Sequence, residues 1–197
     1  MIAWKATARC WRWPLRLTVF LFGLGSVGVH ADACDPGRFV VHGDGTVTDS
    51  ASGLMWKVCS ERMFFHEGGC YLSMAEAARN HAPLGTPRFS LEWALIQPDA
   101  VNAGAERTQD LGHMDWRVPT IAEMRSLVNR NCANPELPRD VFPWTHPIRN
   151  YWTSSPMAGS GLYFWTVNMT TGEARRGVAQ PNAEYMHHLR LVRGAPH

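Results

Sequence analysis

Short stretches of β-forming residues lie toward both ends of the chain, and helical spacing of apolar residues is confined to its middle. Arg38 to His42 and Thr46 to Asp49 are two such stretches, separated by Gly43-Asp44-Gly45. An Asp-Gly pair between runs of this kind is a strong signal for a tight hairpin. The apolar run Leu54 to Val58 follows. The pattern predicts a hairpin and then a buried strand.

Helices are predicted in the middle of the chain. A serine and a glutamate three residues apart form a capping box before a short helix over Met74 to Asn80. Ser90 is expected to begin a second helix, which Pro98 should end or kink near Gln97 because proline removes a backbone donor. The side chains expected to face the core from this helix are Leu91, Trp93, Ala94 and Leu95.

A third helix is predicted over Ile121 to Asn129. Thr120 and Glu123 form its capping box, and apolar residues recur at helical spacing behind them. Residues 88–115, rich in Ala, Gly and Asp, are the expected long loop. The last third of the chain then returns to β-prone sequence, and its expected strands are Tyr151 to Ser154, Leu162 to Met169, Ala174 to Val178 and His187 to Val192. Segregated strands and helices predict an α+β fold with an antiparallel sheet.

Residues 1–31 have the composition of a cleaved export signal. Four basic residues precede an apolar run from Leu17 to Val29, and small residues at Val29 and Ala31 favour cleavage before Asp32. An uncleaved anchor is the alternative, but spanning a bilayer takes roughly 20 apolar residues. We therefore expect an exported protein, periplasmic or extracellular, whose single domain occupies residues 32–197.

Loss of the signal changes the charge of the protein. It removes four of the nineteen basic residues and none of the seventeen acidic ones, which leaves a net charge of −2. This balance does not favour nucleic acid as a partner. Lys57 is then the sole lysine beside fourteen arginines. Anions would therefore be recognised by guanidinium groups, which pair with them in a planar, bidentate geometry.

Four cysteines remain after cleavage, and an even number in an exported chain predicts two disulfides. Three pairings are possible. We favour Cys59 with Cys70 and Cys34 with Cys132. A zinc site is the competing interpretation, but no two of these cysteines have the two-to-four-residue spacing of typical zinc ligands. No metal and no cofactor is expected.

Several motifs in order along the chain match one bacterial family. They include GDGTVTD at residues 43–49, SGLMW at 52–56, DWRVP at 115–119, EMRSL at 123–127, YWTSS at 151–155 and LRLVRG at 189–194. With these motifs the chain resembles the Lcl C-terminal domain family, the module that ends a bacterial collagen-like adhesin. The chain has no Gly-X-Y stalk of the kind that precedes the module in that adhesin.

The resemblance implies a fold similar to C-type lectins and to the formylglycine-generating enzymes. That fold is a small twisted antiparallel sheet with two or three flanking helices, long loops and, here, two disulfides. The resemblance also implies a secreted or surface module. Some members of the family bind polysaccharides such as sulfated glycosaminoglycans. It supplies no catalytic residues.

Five residues of the last third form the candidate ligand site: Arg149, Trp152, Arg175, Arg176 and Tyr185. Guanidinium groups beside aromatic rings suit sulfated or uronic sugars, because the cation pairs with the acid group and the ring stacks on the sugar. An ordinary solvated hairpin is the alternative for the two adjacent arginines. His187 and His188 cannot bind one metal together, because neighbouring residues of a strand point to opposite faces.

The expected function is non-catalytic recognition of an anionic glycan or a protein partner at the cell surface. A structural or assembly role in an envelope or pilus complex is the alternative. An activity like that of the formylglycine-generating enzymes is a more distant one. It needs an active-site cysteine pair, and the disulfides predicted here leave no cysteine free. No nucleophile elbow is visible either.

Overall fold

The computed structural model describes residues 37–73, 87–128, 137–146, 149–159, 161–180 and 185–195. A four-stranded antiparallel sheet opens this part of the chain. Its strands in spatial order are β1 (Phe39–Val41), β2 (Thr46–Asp49), β3 (Leu54–Lys57) and, from the end of the chain, β9 (Val192–Arg193). The predicted hairpin and buried strand are confirmed. The Asp44 carboxylate stabilises the hairpin turn by accepting hydrogen bonds from the backbone N–H and the hydroxyl of Thr46, at 2.8 and 2.6 Å.

A second hairpin, which the sequence analysis does not predict, follows this sheet. It pairs β4 (Phe64–His66) with β5 (Gly69–Tyr71). The disulfide between Cys59 and Cys70 ties it to the end of β3, so this predicted bridge is confirmed. Cys34 and Cys132 lie outside the described residues, as do the expected export signal and the expected helix over residues 74–80.

The third sheet is antiparallel, with β6 (Asn150–Pro156), β7 (Tyr163–Asn168) and β8 (Ala174–Val178) in that order. Three of the four strands predicted here are confirmed, with small shifts of their ends. The prediction of one strand over His187 to Val192 is wrong. His187 and His188 form only isolated bridges to two different elements, and β9 begins at Val192. Residues 187–191 therefore run between the third sheet and the four-stranded sheet without forming a strand of either.

Helix α1 (Leu91–Asn102) begins at the predicted Ser90 cap but does not end at Pro98. It continues because its C-terminal turn is held from outside the helix. The side chain of Asn102 exchanges two hydrogen bonds of 2.9 Å with the backbone of Trp116, and Val101 is fully buried. Residues 88–115 are therefore half helix, and the expected long loop is restricted to residues 103–115.

The predicted buried face of α1 is partly wrong. Leu91 and Ala94 are buried, but the side chains of Trp93 and Leu95 are 56% and 38% exposed. Helix α2 (Ile121–Ser126) has the predicted capping box, with Thr120 and Glu123 bonding each other's backbone N–H. It is shorter than predicted, because helical structure ends before Leu127.

Two groups of buried side chains form the core. The first joins the four-stranded sheet to α2 and the third sheet through residues such as Trp56, Met124 and Tyr151. The second lies between α1 and the third sheet and includes Trp116 and Trp152. Trp56 and Trp116 are thus packing residues. In the part of the chain that the structure describes, the fold is α+β with antiparallel sheets.

Removal of the observed disulfide should destabilise the protein. We expect a Cys59→Ala, Cys70→Ala variant to lose about 3 kcal/mol of unfolding free energy, because the cross-link restricts the unfolded chain over a short loop. Urea denaturation of wild type and variant measures this loss. A variant with the wild-type midpoint would show that the bridge does not form in the purified protein.

Candidate functional site

The structure places Trp152, the central aromatic residue of the candidate ligand site, inside the core. Its side chain is fully buried, and its indole N–H donates a 2.8 Å hydrogen bond to the carbonyl oxygen of Phe89. The ring of His187 packs against it with its centroid 4.7 Å away. Trp152 therefore has no free face on which a sugar could stack.

Arg175 and Arg176 lie on β8 but face opposite sides of the sheet. Arg175 is paired with Thr166 on β7, and Arg176 with Trp165, so their side chains alternate between the two faces. The exposed Arg175 forms a 2.7 Å ion pair with Glu173, whereas the guanidinium of Arg176 lies 4.9 Å from the centroid of the Tyr163 ring. The two arginine side chains therefore cannot contact the same ligand.

Arg149 and Tyr185 complete the predicted set. Arg149 is exposed and close enough to His146 and His187 to lower the pKa of both imidazoles, after the larger effect of their burial. Tyr185 is half-buried. Among the described residues, no two of the five predicted residues form a hydrogen bond, ion pair or ring contact with each other. The set does not assemble as one site.

A groove of about 840 Å³ provides a better-formed site elsewhere in the protein. It lies along the outer side of α1, where Trp93, Ile96 and Ala100 follow one another at helical spacing. Arg62, just before β4, Phe64, the first residue of β4, and Arg107, in the loop after α1, line it as well. Its size is typical of small-molecule and sugar sites.

The two arginines of the groove share two unusual properties. Neither forms an ion pair with any residue that the structure describes. Both also have left-handed backbone conformations, with φ of 62° at Arg62 and 63° at Arg107. Such a conformation costs on the order of 1 kcal/mol for a residue other than glycine and is concentrated at functional sites. One carboxylate, that of Glu106, also lines the groove, so the guanidinium charges are in excess.

The groove is held by a polar network at its base. Lys57 forms a buried 2.6 Å ion pair with Glu61, whose second carboxylate oxygen accepts a 3.3 Å hydrogen bond from the side chain of Gln97. Lys57 also donates a 2.7 Å hydrogen bond to the carbonyl oxygen of Gln109, in the loop that carries Arg107. These contacts join α1 and the loop to the first sheet.

The groove is not predicted from the sequence, because the pattern places Trp93 in the core and residues 88–115 in a loop. One signal was present. Trp93, Ile96 and Ala100 repeat at helical spacing on a side of α1 different from the side of Leu91 and Ala94. Apolar residues on two sides of one helix indicate a second surface to be covered or bound.

The model of the Lcl C-terminal domain family matches residues 45–193 of this chain, which is most of its length. The chain belongs to this family. Among curated proteins, no relative matches the chain. The family assignment thus confirms the resemblance seen in the motifs and suggests an adhesin-like module. No helix among the described residues is long and apolar enough to cross a membrane.

The DWRVP motif of this Lcl C-terminal domain has a structural role. Arg117 forms a bidentate ion pair with Glu123, with N–O distances of 2.6 and 2.9 Å, and also donates to the carbonyl oxygen of Gly194. Burial raises the pKa of Glu123, but the hydrogen bonds from Arg117 and Thr120 outweigh it, so the pKa is lowered overall. The motif thus joins the start of α2 to the end of the chain.

The GDGTVTD motif is structural as well. Its last residue, Asp49, is fully buried and accepts two hydrogen bonds from the guanidinium of Arg38, at 2.7 and 2.8 Å. Family motifs in this domain therefore build the scaffold. Arg62 and Arg107, the exposed arginines that line the groove, lie between those two motifs in the sequence.

Proposed function

We propose that this protein is a non-catalytic, adhesin-like binding module that recognises an anionic glycan in the groove beside α1. The observation that carries the proposal is the combination of an exposed Trp93 with Arg62 and Arg107, neither of which forms an ion pair with a described residue. An indole presents a flat apolar face to a pyranose ring. Guanidinium groups bind sulfate or carboxylate groups through paired, charge-assisted hydrogen bonds.

Export and a lectin-like architecture are part of the same proposal. The Cys59–Cys70 disulfide supports an oxidising compartment, periplasmic or extracellular, and we expect a second bridge between Cys34 and Cys132. The small antiparallel sheets with two described helices are compatible with the C-type-lectin-like fold that the family resemblance implies. A glycan at the cell surface is the ligand class that fits such a compartment.

A pair of charge-matched double variants tests the proposal. Arg62→Ala with Arg107→Ala removes two positive charges from the groove, and Arg175→Ala with Arg176→Ala removes two from the third sheet. A charge-assisted hydrogen bond contributes about 1.5 to 3 kcal/mol, so we expect the groove variant to lose on the order of a hundredfold in affinity for a sulfated or uronic glycan. The sheet variant should stay within about threefold of wild type.

The measurement begins with a glycan array at low and high salt and continues with titration of the strongest hits. Trp93→Ala should weaken binding without lowering the unfolding midpoint, because its side chain is more than half exposed. If only the sheet variant lost glycan affinity, the glycan site would lie at Arg175 and Arg176 and not in the groove. A blank array with folded, oxidised protein would favour a protein partner or an assembly role.

A further inference from the structure

Three imidazoles gather next to the chain segment that leads into α1. The ring of His188 is stacked on that of His146, with centroids 5.0 Å apart, and lies 5.3 Å from the ring of Tyr151. His187 points away from this pair and packs against Trp152. His188 is almost fully buried, so its environment is set by protein groups and not by water.

These histidines hold the segment of residues 87–90 in place. Nδ1 of His188 is 2.7 Å from the carbonyl oxygen of Pro87. Phe89 and His187 exchange two backbone hydrogen bonds, of 2.8 and 3.1 Å. The carbonyl oxygen of Phe89 also accepts the indole N–H of Trp152. The segment is thus attached to the rest of the protein through His187, His188 and Trp152, and also through the side chain of Phe89, which is buried in the core group that includes Trp116 and Trp152.

The same segment supports the groove. Pro87 lines the groove directly, and the guanidinium of Arg62 lies 5.0 Å from the centroid of the Phe89 ring. Ser90 caps α1 by accepting a hydrogen bond from the backbone N–H of Trp93. Movement of the segment would therefore displace Arg62 and the first turn of α1, which carries Trp93.

We propose that protonation of His187 and His188 releases this segment and so weakens ligand binding in the groove under acidic conditions. The inference builds on the proposed function, since it concerns regulation of the same groove. It requires that both imidazoles be neutral while the segment is attached, and that they take up protons once it detaches.

The surroundings of the imidazoles favour the neutral form. Burial has the largest effect and lowers the pKa of His187 and of His188 to about 4. The hydrogen bond to Pro87 raises the pKa of His188, but burial outweighs it. Arg88 lowers the pKa of both rings and Arg149 that of His187, because both arginines are cations. Nε2 of His188 is buried with no hydrogen-bond partner among the described residues, so a proton there would have no acceptor.

Among the residues that the structure describes, the other groups facing the histidines supply no counter-charge. His146 also has its pKa lowered, first by burial and then by Arg149 and Arg88. Arg190 lies beyond Tyr151, with its guanidinium 5.9 Å from the centroid of that ring. Glu61, the acidic group whose charge acts on Arg190, is already paired with Lys57.

The direction of the pH effect follows from these pKa values. An imidazole released to solvent has a pKa near 6.5, so the detached state binds protons as the pH falls below that value, whereas the attached state does not until about pH 4. Between pH 7 and pH 5 each histidine should favour detachment by about thirtyfold, and the two together by up to about a thousandfold. Below about pH 4 the effect should level off.

Amide hydrogen exchange tests the inference without any ligand. The amide N–H groups of Phe89 and His187 donate to each other's carbonyl oxygens. The amide N–H of Met124 in α2 donates to the carbonyl oxygen of Thr120, and this amide serves as the reference. We expect the protection factors of the first two to fall at least thirtyfold between pH 7 and pH 5, while that of Met124 changes by less than threefold. Constant protection at all three, or an equal fall at all three from global unfolding, would overturn the inference.

A variant then links the opening to the groove. His188→Asn keeps a side-chain N–H that can reach the Pro87 carbonyl, and combined with His187→Gln it removes both titrating groups. We expect this variant to retain its protection at pH 5. Its affinity for the best array glycan should change by less than threefold between pH 7 and pH 5, whereas that of wild type falls at least tenfold.

The two proposals fail in different ways. If exchange shows the opening but mutation of Arg62 and Arg107 leaves glycan affinity unchanged, the glycan function of the groove is wrong and the pH-dependent release stands. If glycan affinity falls with pH equally in wild type and the histidine variant, the pH dependence belongs to the ligand or to the groove, and the inferred role of the histidines is wrong.

Discussion

Trp152→Ala should lower the unfolding free energy by about 3 to 5 kcal/mol, the usual loss when a buried tryptophan is truncated to alanine. The side chain is fully buried and forms the hydrogen bond to Phe89 described above. It also packs closely on β8, since a methyl group added at Gly177 would come within 2.3 Å of the indole. Truncation would leave a large cavity between α1 and the third sheet. Urea denaturation with a fixed m-value measures the loss.

Trp93→Ala is the matched control, because it makes the same substitution on a side chain that is 56% exposed. It should change stability by less than about 0.5 kcal/mol, as surface substitutions usually do. Comparison of the two variants thus distinguishes a tryptophan that stabilises the core from one that binds the ligand. If Trp152→Ala kept the wild-type midpoint and lost glycan affinity instead, Trp152 would belong to a ligand site, as the sequence analysis first suggested.

Arg190→Met should be the second strongly destabilising change, by about 3 kcal/mol or more. The guanidinium is fully buried and donates 2.7 Å hydrogen bonds to the carbonyl oxygen of Lys57 and to the hydroxyl of Thr145, and a further bond to the carbonyl oxygen of Val58. Methionine fills a similar volume but donates nothing. Each buried acceptor left without a partner costs about 1 to 3 kcal/mol.

Arg175→Met is the control for Arg190. Its ion pair with Glu173 has both side chains about 60% exposed, and such pairs contribute at most about 1 kcal/mol. If the unfolding midpoint of Arg190→Met matched that of Arg175→Met, water or another group would have to replace the hydrogen bonds of the Arg190 guanidinium in the core. Burial lowers the pKa of the Arg190 guanidinium, but arginine stays charged in proteins, so its hydrogen bonds should persist across the accessible pH range.

The sequence alone determined those parts of the protein that depend on local chemistry. The Asp-Gly turn before Thr46, the capping box of Thr120 with Glu123, and the short clip from Cys59 to Cys70 are all confirmed, because each uses residues at most eleven positions apart. Motifs in sequence order also gave the family. The segregation of strands and helices was enough to predict the α+β class.

Other features depend on contacts between distant residues, which a local pattern does not contain. The sequence predicts that Pro98 ends or kinks α1, but the helix continues to Asn102, whose side chain bonds the backbone of Trp116. Arg175 and Arg176 are adjacent in sequence and on opposite faces of a strand. An arrangement of aromatic and basic residues along a chain therefore does not show which of them can meet one ligand.

The candidate site also depends partly on sequence and partly on tertiary contacts. Sequence composition points to arginine for any anion recognition, since the chain has a single lysine after residue 31. Only the tertiary structure decided which arginines are available. Arg38, Arg117 and Arg190 are bonded to buried partners, while Arg62 and Arg107 line the same groove as Trp93 although they are 45 positions apart in the sequence. Burial and pairing are properties of the folded chain, and they determine which charges remain available to bind a ligand.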